Sequence, residues 1–230
     1  CEGKSIIPRM YELNPGIVRE GLTGQKAEAK KVDCTPVPRP PVLCPGCPHR
    51  GFFYEVSRLK DVVVTGDIGC YTLGSAEPMC ALDTTICMGA GFSAGVGMAK
   101  AFARRGENKK VIGVLGDSTF FHSGITGALE IMYNNGNMIP CVLDNSITAM
   151  TGHQPNPGVC TSVLGEGCNH LDIESVVRGI GVTDVAKVKP FNMRGTLKTI
   201  EEMKARSGVR VIIAEEPCML FARRTLKQNR

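Results

Sequence analysis

The chain has 230 residues, 43% of them apolar, and a net charge of +5 from 27 basic and 22 acidic side chains. Tryptophan is absent and aromatic residues make up 5%, so there is little with which to stack bases, and no nucleic-acid role is expected. The uncharged stretch 84–99 is too short and too rich in glycine to span a bilayer of ~30 Å, so no membrane role is expected either.

Eleven cysteines is a high and odd count. The chain is too long for a small disulfide scaffold and shows no secretory signal. A reducing, cytoplasmic setting with metal or redox use of some thiols fits better. The chain opens at Cys1 and ends in a basic stretch from Arg223 to Arg230, and it reads as a piece of something larger.

Residues 1–40 are weakly patterned. A short helix is expected from Asn14 to Leu22, with Pro15 at its first position and Gly24 just past its end. Thr35-Pro36-Val37-Pro38-Arg39-Pro40-Pro41 then reads as an extended linker, which places a boundary near Pro40. From there strands and helices alternate. Nearly continuous β-branched runs predict buried parallel strands over 61–66, 111–115, 139–143, 182–188 and 209–214. Helices are expected over 51–59, 89–105, 125–134, 172–179 and 193–206. The last sets Leu197, Ile200 and Met203 among charges, and Asp172 suits an N-cap. The basic group Lys100, Arg104, Arg105, Lys109 and Lys110 reads as solvated charge at a helix end. The expected fold is α/β, a doubly wound, mostly parallel sheet with helices on both faces and right-handed crossovers.

Two expected strands end in polar motifs. Gly116-Asp117-Ser118 follows the run at 111–115, and Asp144-Asn145-Ser146-Ile147-Thr148 follows that at 139–143. Ligands of open α/β sheets bind beyond the carboxyl ends of the strands. Mg²⁺ takes oxygen ligands and is commonly held by one or two carboxylates plus substrate phosphates. Asp117, the Asn145 amide oxygen and the Ile147 carbonyl are therefore candidate Mg²⁺ ligands. Ser118 and Thr119, at the start of the next helix, suit phosphate oxygens. The pattern resembles the thiamine diphosphate signature, Gly-Asp-Gly and then Asn some two dozen or more residues on, with Ser118 in place of the last glycine.

Cys44-Pro45-Gly46-Cys47 is compatible with redox, zinc or iron–sulfur chemistry. Cys70 falls just past the first strand and Cys218 past the last, on the same side of the sheet, so four thiolates there could hold a [4Fe–4S] cluster. Cys160 and Cys168 compete with Cys218 for the fourth place, while Cys80, Cys87 and Cys141 read as buried, inert thiols. Gly89-Ala90-Gly91-Phe92-Ser93-Ala94 matches a dinucleotide fingerprint but follows a poor strand. Close packing of its helix, or close approach of its backbone to a cofactor, explains these glycines better. His49, His122 and His153 fall where loops should converge. Of these, His49 and His153 are the candidates near substrate or cofactor.

Four segments, 43–51, 66–74, 116–124 and 144–155, resemble the 2-oxoacid:ferredoxin oxidoreductases, in particular the alpha subunits of the indolepyruvate branch. The likeness runs from about Pro40 to Cys218. It implies that 41–230 are a thiamine diphosphate-binding domain and that 1–40 are the tail and linker of a preceding one. It also implies oxidative decarboxylation of an aryl 2-oxoacid, passage of electrons to iron–sulfur clusters and ferredoxin, and transfer of the acyl group to coenzyme A. The cofactor-binding set is then Gly69, Cys70, Gly116, Asp117, Ser118, Thr119, Asn145 and Ile147. Mg²⁺ falls to Asp117, Asn145 and Ile147, and a cluster to Cys44, Cys47, Cys70 and Cys218. The family takes the Glu that activates the cofactor from another domain and carries a Cys-rich module elsewhere. Further domains of the same subunit, a second subunit type and an oligomeric assembly are implied, with little activity expected from this chain alone. A non-redox thiamine diphosphate-dependent decarboxylase and a zinc-binding interaction domain remain the alternatives.

Overall fold

The computed structural model describes residues 3–26, 33–162 and 164–228, with side chains of 225–228 left out. The chain divides into two units, Cys1–Pro40 and Pro41–Arg230. The first contains the helix α1 (Pro15–Thr23). The Asn14 side chain accepts from the Ile17 N–H, and Gly24 closes the helix in the left-handed conformation at φ 69. Both ends match the sequence pattern.

The second unit is a six-stranded parallel sheet in the order β2-β1-β3-β4-β6-β5. The strands are β1 (Val62–Gly66), β2 (Thr84–Thr85), β3 (Lys110–Gly116), β4 (Ile139–Asp144), β5 (Asp184–Val188) and β6 (Arg210–Glu215). The helices are α2 (Pro48–Ser57), α3 (Ala90–Arg104), the single turn α4 (Asp117–Thr119), α5 (Ile125–Tyr133), α6 (Ile173–Gly179), α7 (Met193–Ala205) and α8 (Met219–Gln228). A π-helical turn, Phe120–Gly124, joins α4 to α5.

Two buried clusters cover opposite faces of the sheet. Ile112, Val114, Ile139, Cys141, Leu143, Ile212 and Ala214 pack with Phe52, Phe53 and Val56 of α2 and with Ile200 and Met203 of α7. Val111, Leu115, Val142, Val211 and Ile213 point the other way, toward Phe92 of α3, Ile131 of α5 and Val177 of α6. Strand residues alternate between faces, so burial on both sides explains why the strands read as unbroken apolar runs. Each such Val, Leu or Ile contributes about 1.5–3 kcal/mol of burial.

Glycine lets α3 lie close on the sheet. A Cβ on Gly91 would overlap the Val114 carbonyl oxygen, and the Gly91 carbonyl accepts from Thr65 Oγ1 at 2.6 Å. Of the two fingerprint-like glycines, Gly91 is thus a packing glycine, while Gly89 caps the helix at φ 90. The structure departs from the sequence reading in several places. Thr84 and Thr85 do form a strand, a two-residue edge pairing with β1. Cys80 and Cys87 are exposed, and of the three thiols read as buried only Cys141 is. Cys87 lies just after that short edge strand, and Cys80 sits at φ 45 in the loop before it. Finally, α2 starts at Pro48, three residues earlier than expected, so Cys47 is its N-cap residue.

Candidate functional site

The parallel register sets Gly116 of β3 opposite Leu143 of β4, so the polar motifs after the two strands emerge side by side. Asp117 opens the helical turn and is buried. Its Oδ1 accepts from the Ser118 N–H at 2.7 Å and its Oδ2 from Asn156 Nδ2 at 3.0 Å. Asn145 is also buried. Its Oδ1 accepts from the Ile147 N–H at 3.2 Å, and its Nδ2 lies 3.3 Å from His49 Nε2. Ser118 Oγ accepts from Thr148 Oγ1 at 2.9 Å, tying the two motifs together. Behind them Asp67 accepts from the Tyr71 hydroxyl and, at 2.6 Å, from the Gly89 N–H. The same hydroxyl meets Thr119 Oγ1 at 3.2 Å.

Gly69, Cys70, Gly116, Asp117, Ser118, Thr119, Asn145 and Ile147 line one cavity of about 110 Å³, together with Ile68, Tyr71, Met88, Leu143 and 148–151. The Asp144 carboxylate stands against that of Asp117. Burial, and then this neighbouring charge, push the Asp117 carboxyl up to about 7. Two carboxylates facing each other in a buried site resist joint ionisation, and a divalent cation between cofactor and protein would relieve that. The donor set therefore fits Mg²⁺. Among the described residues no three His, Cys, Asp or Glu side chains converge on a single ion. An ion held by a carboxylate, an amide oxygen, a carbonyl and phosphate oxygens does not need such a triad.

The thiols lie next door. The Cys44–Cys47 turn is closed by the Cys47 N–H on the Cys44 carbonyl at 3.0 Å, with Gly46 at φ 73. Arg50 braces it, donating from Nε to the Leu43 and Cys44 carbonyls at 3.1 and 3.0 Å. Cys218 is fixed by its N–H on the Asn145 carbonyl at 2.9 Å. Cys44, Cys47, Cys70 and Cys218 all line one largely apolar cavity of about 130 Å³, with His49 and His153 on its wall. Burial pushes the Cys47 thiol up to about 11 and raises Cys70 too, with the other thiols adding repulsion. A four-iron cluster places each thiolate on its own iron, so its ligands surround a volume instead of meeting at a point. Four thiols around one cavity fit that group better than a lone ion.

His49 is buried in the first turn of α2, edge-on to Tyr71 at 6.1 Å. Burial lowers it to about 4, so it is a neutral imidazole at ordinary pH. His153 is the other histidine on the cavity wall. His122 is exposed in the π-helical turn and lines neither cavity. Cys160 and Cys168 are exposed and also lie outside both. Sequence reasoning passed over Asp144, Asn156, Tyr71 and Asp67. Asp144 was in view at a strand end, but nothing local marks Asn156 as the partner of a residue 39 positions earlier.

This fold, with a buried acidic strand end beside an Asn-bearing one, defines a cofactor-binding α/β domain. Residues 67–214 match the family described as thiamine pyrophosphate enzyme, C-terminal TPP binding domain, and the chain belongs to that family. It is 40% identical to the indolepyruvate oxidoreductase subunit IorA of Archaeoglobus fulgidus, over 97% of this chain and 38% of the relative. The IorA of Methanothermobacter marburgensis is 38% identical, over 93% of this chain and 36% of its own length. The chain thus spans little more than a third of these relatives. A 2-oxoglutarate:ferredoxin oxidoreductase from Magnetococcus marinus, solved with 2-oxoglutarate, coenzyme A and succinyl-CoA, shares the fold, with TM-score 0.62 and 21% identity over 78% of this chain and 65% of that one.

Proposed function

We propose that residues 41–230 are the thiamine diphosphate- and Mg²⁺-binding domain of an oxidoreductase. It would oxidise an aryl 2-oxoacid, indolepyruvate, with loss of carbon dioxide, to the acyl-CoA, and reduce ferredoxin. Residues 1–40 are then the tail of a preceding domain and its linker. The observation that carries this reading is a shared wall: Cys70, Asn145 and Ala149 line both the cofactor cavity and the four-thiol cavity. Electrons leaving a cofactor in the first have an acceptor site directly beside them. The choice of substrate rests on the relatives named indolepyruvate oxidoreductase. A second subunit type, an oligomeric assembly and a cytoplasmic location belong to the same reading.

Thiamine diphosphate, when bound, supplies the electron sink for decarboxylation, and an iron–sulfur cluster accepts electrons one at a time. The residues of the chain do the placing. Asp117, the Asn145 amide and the Ile147 carbonyl hold Mg²⁺. Gly116, Ser118 and Thr119 would offer backbone and hydroxyl groups to the diphosphate, and Gly69 and Cys70 line the same cavity. Neutral His49 steadies the Asn145 side chain without adding a charge that would compete with the metal. Cys44, Cys47, Cys70 and Cys218 hold the cluster.

The test uses the assembled enzyme prepared without oxygen. Wild type should contain one cluster more of iron and acid-labile sulfide than Cys44→Ser/Cys47→Ser. Equal contents would remove the cluster. Asp117→Ala should abolish Mg²⁺-dependent thiamine diphosphate binding by calorimetry, and unchanged affinity would sink the metal assignment. Indolepyruvate should support ferredoxin reduction only with coenzyme A present, and a failure there would reject the substrate.

A further inference from the structure

We infer that His153 tunes the reduction potential of the cluster through Cys218, and that Arg224 sets the imidazole tautomer that lets it do so. This rests on the cluster half of the proposed function. The imidazole lies between Cys218, the residue just before α8, and Arg224 in the second turn of that helix. Its Nε2 is 4.0 Å from Cys218 Sγ, and its Nδ1 is 3.5 Å from a terminal guanidinium nitrogen of Arg224.

The backbone holds it there. Thr148 and Gln154 pair antiparallel, with N–H to carbonyl distances of 2.9 and 3.2 Å, and the turn they close puts His153 at φ 66. Such a conformation is uncommon for a residue with a Cβ. Gln154 braces the turn, accepting from Thr151 Oγ1 at 2.6 Å and donating to the Thr151 carbonyl at 2.8 Å. Cys218 is pinned from the other side by its N–H on Asn145 and by its carbonyl, which accepts from Ala222 at 2.9 Å.

The chemistry follows from the donor inventory. Guanidinium has no acceptor, so the ring nitrogen facing Arg224 must present its lone pair. The ring proton then sits on Nε2, the nitrogen facing Cys218. A thiolate bound to iron only accepts. Nε2–H therefore donates to Sγ, and a hydrogen bond to a cluster sulfur favours the reduced, more negative state. His153 raises the potential, and Arg224 acts through it. His153 is thus a positioning and tuning residue.

The measurement is an anaerobic redox titration of the assembled enzyme, following the electron paramagnetic resonance signal that is missing from Cys44→Ser/Cys47→Ser. His153→Ala should lower the midpoint. His153→Gln, which keeps an amide donor at the Nε2 position, should restore most of it. Arg224→Ala should also lower the midpoint, and the double variant His153→Ala/Arg224→Ala should fall no further than His153→Ala. Additive shifts would mean that Arg224 acts as a bare charge and would overturn the tautomer role. A full iron content with an unmoved midpoint in His153→Ala and Arg224→Ala would overturn the inference while leaving the cluster standing. Absence of the signal from wild type would instead reject the cluster reading, and this inference with it.

Discussion

Asn156 shows how much of the site depends on single side chains far from the signature residues. It is buried, donates to Asp117 Oδ2 at 3.0 Å, and accepts from the Gly158 N–H at 2.8 Å. The amide thus fixes both the carboxylate and the loop that follows. A hydrogen bond to a charged group contributes about 1.5–3 kcal/mol, which is roughly ten- to a hundredfold in affinity. Asn156→Ala should weaken Mg²⁺-dependent thiamine diphosphate binding by that factor in calorimetry of the assembled enzyme. An unchanged dissociation constant would mean that Asp117 needs no such support. Asp117 and Asn145 were legible in the sequence because each ends a buried strand, where polar residues have few structural reasons to be. Asn156 and Asp144 become partners of Asp117 only once β3 and β4 are known to be neighbours, and Tyr71 reaches Thr119 only because β1 lies beside β3; no local pattern carries that information.

The secondary-structure elements show the same division. Runs such as 111–115 and 139–143 are β-branched and apolar, and the strands they form agree with expectation to within a residue or two. β2 was missed because Thr84 and Thr85 form too short and too polar a run to stand out. The early start of α2 was missed because the Pro-Gly-Cys-Pro sequence reads as a loop until Pro48 is seen at the first helical position, where it is favoured. Two substitutions in α3 test its glycines against each other. Gly91→Ala forces a methyl group into the Val114 carbonyl, and overpacking of this kind costs about 1–3 kcal/mol or more. Gly97 has nothing within 4 Å of an added Cβ, so Gly97→Ala should stabilise by up to about 1 kcal/mol from helix propensity. Urea unfolding of both variants checks the pair, and equal effects would contradict the packing role. At α6, Asp172 accepts from the Ser175 N–H at 2.7 Å and its hydroxyl at 2.8 Å, and these bonds lower its pKa. Asp172→Ala should cost about 1 kcal/mol at neutral pH. A depressed carboxyl stabilises above its unfolded-state pKa and loses that contribution as pH falls through the folded value. The gap between wild type and variant should therefore close toward acid pH. A gap independent of pH would show that charge plays no part in the cap.

At the scale of the whole molecule the cysteines among the described residues sort by position into three groups, and the sorting itself can be measured. Cys34, Cys80, Cys87, Cys160 and Cys168 are exposed, and the last four of these do not line the four-thiol cavity. Cys44, Cys47, Cys70 and Cys218 line that cavity, at the end of the sheet where β1 and β6 both finish. Cys141 is buried within β4, and burial raises its thiol pKa. Thiolate, not thiol, reacts with an alkylating agent, so exposure and pKa act in the same direction. In anaerobic holoenzyme the first group should label at once and the second should be protected by iron. Removal of iron by a chelator should release the second group in a set order. Exposed Cys44 should label before Cys47, whose thiol is half-buried and pushed up to about 11. Cys141 should label only on unfolding. Peptide mass mapping of the alkylated sites reads all three groups in one experiment. Labelling of the cavity thiols at the rate of the exposed ones, in protein that still contains its full iron, would place the metal elsewhere. Protection that survives complete removal of iron would mean that packing, and not a cluster, shields these four cysteines.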